Sequence, residues 1–159
     1  MIEKGMKILS YITAFALLSL VVLILYDATA RYLFSGGSTA LQELEWHLFD
    51  VVVMFSIAYA LKHNAHVRVD IFYEKFSPKR QILIDILSIL FFILPLSFLI
   101  IYISIDFVTM SYTQNESSCD PGGLSHRYLV KSLMPLAFVF LSLSALERVL
   151  FLFKKWRAL

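Results

Sequence analysis

The chain has 159 residues, of which 59% are hydrophobic and 16% charged, and its formal net charge is +2. A soluble domain carries about 25% charged residues, so this composition excludes an ordinary water-soluble domain. The small net charge, with no basic stripe, excludes a nucleic-acid surface.

Four apolar runs organise the chain. Residues 8–26 hold no charge, 46–61 hold only Asp50, and 86–105 are uncharged. Residues 132–146 are uncharged, and the run resumes beyond Glu147 and Arg148. A spanning helix needs about 20 predominantly apolar residues. Strands of a membrane barrel would alternate polar and apolar positions, and these runs are continuous. The chain therefore reads as an all-α integral membrane protein, one domain over residues 1–159, with spans at about 8–34, 40–64, 78–112 and 128–154. The first run is longer than the apolar core of a signal peptide, about 7–15 residues, so it is expected to stay as a membrane helix.

Asp27 and Arg31 lie four apart near the far end of the first helix, where they can pair on one face. Ser35-Gly36-Gly37-Ser38 ends that helix, glycine being the usual left-handed C-cap. Thr39 with Gln42 forms a capping-box pattern that opens the second helix near Ala40. Glu43, His47 and Asp50 then fall on one side of it. Carboxylates near the membrane are expensive unless they face protein or water. Asp27, Arg31, Glu43, Glu45, His47 and Asp50 are therefore expected to face a partner or to be satisfied within the bundle.

Past Lys62, Val69, Phe72, Tyr73 and Phe76 recur at helical spacing, with Arg68 and Lys75 mainly opposite. That pattern predicts a short amphipathic helix in the interface between the second and third spans, anchored by Arg68, Phe72, Tyr73 and Phe76 on membrane lipids. Ser77-Pro78 is a helix start. The third helix is longer than a bilayer requires and carries Pro95 in its middle, where a kink is expected. Residues 113–127 are the one substantial polar loop, with Asp120-Pro121-Gly122-Gly123 as a turn. Its Glu116, Asp120 and Arg127 are candidates for docking a soluble protein. Pro135 sits near the start of the fourth helix.

Lys and Arg set the orientation of short-looped membrane proteins. Lys4, Lys7, Lys62, Arg68, Lys75, Lys79, Arg80, Lys154, Lys155 and Arg157 fall on one side, against Arg31, Arg127 and Lys131 on the other. Both termini are thus expected in the cytoplasm, with the 39–45 turn and the 113–127 loop outside.

The sequence offers no catalytic constellation, no metal-ligand spacing and no cofactor motif. A four-helix haem anchor would need histidines at matched depth on facing helices. His47 lies near the outer side, but His126 is in a loop and His63 and His66 sit at the inner boundary. A small proton-coupled exporter would carry a carboxylate inside its first span, and residues 8–26 have none. All five glycines fall outside the spans, whereas transport sites favour helices interrupted by Gly or Pro. The chain reads as a scaffold that partners something larger.

Several segments carry a family resemblance: Arg31-Tyr32-Leu33-Phe34; residues 40–49 with Gln-Glu-Leu-Glu-Trp-His; His66-Val67-Arg68-Val69-Asp70; and Asp120-Pro121-Gly122-Gly123-Leu124 with Lys131. In this order across four helices the chain resembles the small membrane subunit, the DctQ-like small permease, of a tripartite ATP-independent periplasmic (TRAP) transporter. The resemblance implies a multi-pass protein of the bacterial inner membrane and no enzymatic activity. It implies two partners, a large multi-helix permease subunit and a periplasmic substrate-binding protein. It also implies sodium-driven import of organic acids, with ion and substrate sites on the large subunit.

Overall fold

A computed structural model describes residues 2–62, 73 and 75–158, and all the regular structure within them is helical. Helix α1 is Ile2–Leu33 and α2 is Thr39–Lys62. The third span is built from α3 (Pro78–Ser88), a π-helical turn (Ile89–Ile93) and α4 (Leu94–Thr113). The fourth is built from a single turn, α5 (Tyr128–Lys131), and α6 (Leu133–Ala158). Four helical stretches are long and apolar enough to cross a membrane: Lys7–Leu33, Thr39–Leu61, Pro78–Thr113 and Tyr128–Arg157. The chain is therefore a multi-pass membrane protein.

Packing runs from α1 to α2, from α2 to α6, and from α6 to the third span. The core lies around α6, where Ala137, Leu141, Ala145 and Val149 meet Phe55 and Ala58 of α2 and Ile86, Ile89 and Leu94 of the third span. Small residues are the most completely buried, among them Ala58, Ala145 and Ser144. Ser97, Ser104 and Ser111 recur every seven residues along α4 and are 0%, 2% and 1% exposed. In a bilayer the hydrophobic effect does not pull helices together, and close backbone packing at small residues takes its place. Ser97 and Ser104 donate their hydroxyls to the carbonyls of Ile93 and Ile100, four residues back on their own helix, at 2.6 and 2.5 Å. That keeps the polar atom satisfied while the surface stays narrow. The large apolar side chains turn outward, among them Tyr11, Phe15, Phe91, Phe92 and Tyr102.

Pro95 and Pro135 shape their helices through what they lack. Pro95 has no N–H, and its ring crowds the carbonyl four residues back. The helix answers with the π turn just before it, in which Leu94 N–H reaches the Ile89 carbonyl, so the adjustment expected at Pro95 is a widened turn. Pro135 similarly follows the break at Ser132 that separates α5 from α6.

The caps differ from the sequence expectation in detail. Ser35, not a glycine, takes the left-handed conformation after α1, with φ +50°, while the Ala30 carbonyl accepts from Phe34 and Gly36, both at 3.1 Å. A serine tolerates this region less well than glycine but is not barred from it. At α2 the first helical bond runs from Gln42 N–H to the Ser38 carbonyl, 3.2 Å, so Ser38 holds the cap position and Thr39 is already helical. Ser77 does precede α3 with Pro78 in its first turn, but its hydroxyl makes no cap bond.

The amphipathic segment falls largely beyond view: Arg68 and Phe72 lie outside the described residues. Tyr73 donates its hydroxyl to Asp85 Oδ1 at 3.0 Å, and Gln81 Nε2 donates to the carbonyls of Tyr73 and Phe76 at 3.0 and 3.1 Å. These bonds tie the end of that segment to α3. Phe76 is 39% exposed.

The serine row generates a test. Ser104→Ala removes only a back-bond whose carbonyl keeps its helical partner, so thermal stability in detergent should change by less than about 1 kcal/mol. Ser104→Leu overfills the α4–α6 contact and should cost about 1–3 kcal/mol. Equal stability of the two variants would show that the row does not set the packing distance.

Candidate functional site

The polar chemistry of the chain gathers at the end of the bundle that carries residues 34–38 and 114–127. The loop after α4 is a built object. Asp120-Pro121-Gly122-Gly123 closes with Gly123 N–H on the Asp120 carbonyl at 3.0 Å, and Gly122 has φ +78°. Proline second and a left-handed glycine third are the marks of a type II turn. Ser118 N–H reaches the Leu124 carbonyl, and Arg127 N–H reaches the Glu116 carbonyl, each at 3.0 Å. Asn115 (φ +47°) and His126 (φ +64°) reverse the chain at either side.

Glu43 of α2 is the pin through this loop. Its carboxylate accepts the Ser118 hydroxyl and an Arg127 Nη2–H (2.8 Å) on Oε1, and the Leu124 N–H on Oε2 at 2.6 Å. Arg127 Nη2 also reaches Ser118 Oγ at 3.3 Å. Charge-assisted bonds of this kind are roughly twice as strong as neutral ones. Gly123 is required by the fit: a Cβ there would collide with the Ser118 side chain and come within 3.0 Å of Glu43 Oε2. A second tie runs from Glu116 to Lys131, whose ammonium also stands 4.1 Å from the centre of the Phe107 ring.

Beneath and beside the loop lies an open cleft of about 470 Å³, lined by Gln42, Glu43, Trp46, His47, Asp50, Asp120, Arg127 and Lys131 among others. A smaller hollow of about 190 Å³ continues past Asp50 and Lys131 to Met54 and Phe107. The expected face of Glu43, His47 and Asp50 is thus one wall of one cleft. Of the loop residues singled out in the sequence, Glu116 and Arg127 are held in internal pairs, and Asp120 is exposed at the tip.

Asp27, Arg31 and Glu45 form a separate group between α1 and α2. Arg31 Nη2 donates to Asp27 Oδ2 at 2.7 Å, and Nε reaches the same oxygen at 3.3 Å. Glu45 lies close enough to act on the Arg31 charge. Asp27 is 6% exposed. No group of three His, Cys, Asp or Glu placed to hold a metal occurs among the described residues.

Sequence reasoning missed Ser118, the Leu124 N–H and Arg127 as partners of Glu43, and the close approach of Gly123 to it. The nearest signal was the turn itself, since two consecutive glycines after Pro121 leave room for a side chain to approach.

A four-span helical bundle with a strapped polar end, and large apolar side chains turned outward along its helices, defines a multi-pass membrane protein. The family model described as "Tripartite ATP-independent periplasmic transporters, DctQ component" matches residues 20–155, and the chain belongs to that family. A Haemophilus influenzae protein described as "Putative TRAP transporter small permease protein" is 24% identical over 123 residues, covering 77% of this chain and 72% of the relative.

Two outcomes follow. Gly123→Ala should destabilise the loop by about 1–3 kcal/mol through overpacking, and Glu43→Gln, which cannot pair its charge with Arg127, should speed hydrogen exchange at the Leu124 amide. Unchanged exchange in both variants would disprove the pinning role. The Lys131 ammonium holds the Glu116 carboxyl below its ordinary value. A depressed carboxylate contributes stability that is fully present above its unfolded pKa and is lost as pH falls through the folded one. Protection of the loop amides, taken relative to their intrinsic exchange rates, should therefore be flat across neutral pH and fall only below the ordinary carboxylate range. A transition near neutrality would contradict the assignment.

Proposed function

We propose that the chain is the accessory small permease subunit of a sodium-coupled TRAP transporter of the bacterial inner membrane. It packs against the large permease subunit, which imports organic acids delivered by a periplasmic substrate-binding protein. The observation that carries this reading is the family match across residues 20–155. Sodium coupling and the organic-acid substrate come from the resemblance alone. The structure supports a bracing role through the order of its polar end. Loop 114–127 is tied at Glu43 and at Lys131, so it holds a shape without a ligand. Both termini lie in the cytoplasm on the Lys and Arg bias, and the strapped loop faces the periplasm.

In this arrangement the first and second spans form the contact with the large subunit, with Asp27, Arg31 and Glu45 toward it, while His47 and Asp50, also expected to face a partner, line the cleft under the loop. The exposed turn around Asp120 faces the binding protein. Arg68, Phe72, Tyr73 and Phe76 anchor the cytoplasmic side on lipid. Glu43, Glu116 and Arg127 support docking by holding the loop, since their charges are engaged inside the chain.

The test combines topology with assembly. Reporter fusions at Gly36 and Ser118 should read outside, and fusions at Ser77 and the C-terminus inside. Replacing residues 116–120 by a Gly/Ser linker should lower binding-protein-dependent uptake while the two membrane subunits still copurify. The uptake defect of Asp120→Lys should shrink with added salt, because exposed charges are screened within about 8–10 Å at physiological ionic strength. An outside signal at Ser77, or uptake by this chain alone in vesicles, would defeat the reading.

A further inference from the structure

On the exposed side of the α1–α2 contact runs a groove of about 370 Å³, walled by Leu20, Ile24, Trp46 and Phe49 and ending at Gln42 and Glu45. Its walls are open: Ile24, Phe49 and Trp46 are 45%, 47% and 64% exposed. The polar group at its end is out of balance. Among the described residues Asp27 and Glu45 share one guanidinium, that of Arg31, which bonds Asp27. Asp27 Oδ1 and Glu45 Oε1 are both buried and accept no hydrogen bond.

A carboxylate on a spanning helix is costly when it faces lipid and calls for a cation or a donor. Buried acceptors left unpaired carry a desolvation cost as well. The missing component is therefore one positive charge. The groove's shape suits a long apolar stem that brings that charge past Trp46, whose ring face is itself favourable to a cation.

We propose that this groove receives an arginine or lysine side chain from a membrane helix of the large permease subunit, which pairs with Glu45 and completes the Asp27–Arg31–Glu45 group. The proposal rests on the partnership argued above and names the chemistry of the contact. The aliphatic stem of the incoming residue lies along Leu20, Ile24 and Phe49, and its charged head meets Glu45 at the loop end of the groove. With one added cation the group becomes neutral, so neither carboxylate needs to be protonated to sit in the membrane.

The full chain is co-expressed with the large subunit, with a photoreactive benzoylphenylalanine in place of Phe49. Irradiation is expected to yield an adduct with the large subunit. Copurification with a tagged large subunit should fall for Glu45→Gln and fall further for Glu45→Lys. A single Arg→Glu or Lys→Glu change in the large subunit should restore the Glu45→Lys pair. Equal labelling of the exposed Cys119 by a membrane-impermeant maleimide in every variant establishes that insertion and the loop are intact. Glu45→Gln copurifying as wild type does, or adducts formed only with lipid or with a second copy of this chain, would overturn the proposal while leaving the partnership standing. Failure of the wild-type chains to copurify would remove the partnership and the proposal with it.

Discussion

The Glu43 carboxylate is the constraint on which the loop end depends. It joins residue 43 to groups 75, 81 and 84 positions away in sequence, at Ser118, Leu124 and Arg127. A carboxylate taken partly out of water loses hydration that must be replaced, and three donors, one of them a guanidinium, replace it. The arrangement fixes two things together: the position of α2 against the start of the fourth span, and the shape of a loop that would otherwise have many. The backbone bonds at Ser118–Leu124 and Glu116–Arg127 make a closed frame, and Glu43 fills it. The order of the frame is then a property of the bundle, because its pin is part of a spanning helix.

Within the bundle the governing physics is different. Lipid is as apolar as leucine, so the third and fourth spans are held by close packing, and Ser97, Ser104 and Ser111 on the third span and Ala137, Ala145 and Ser144 on α6 are small and buried. The π turn before Pro95 serves the same end. It lets the third span continue past a residue that cannot complete the ordinary ladder, with the Ile89 carbonyl taken up by the Leu94 N–H.

The spans were legible because continuous apolar runs admit few other structures. The Asp27–Arg31 pair was legible from its spacing, and the Asp120–Gly123 turn from its residue types. What escaped was non-local or quiet. No local pattern ties Glu43 to Arg127. The three serines look like interruptions of an apolar run when read singly, and only their seven-residue spacing, seen on the folded helix, shows them as a seam. Ser35 in place of a glycine at the end of α1 reflects the same limit: propensity favours Gly36 or Gly37, but the geometry of the connection chooses one residue earlier. Grouping Glu43, His47 and Asp50 on one face captured the cleft wall, yet the face alone could not tell which member was already engaged.

The two polar groups of α2 therefore differ in kind. Glu43 has its donors within the chain, and its surroundings are complete. Glu45, two residues on, points to the other side of the same helix, where one guanidinium serves two carboxylates and two acceptor oxygens have no donor. Residues two apart on a helix do not face each other, so α2 can present a closed side to the loop and an unfinished side to a neighbour. A monomer selected to stand alone would be expected to neutralise that second side with a glutamine or a further lysine. That second side lies beside an open apolar groove, and the cation proposed for it would balance its charge.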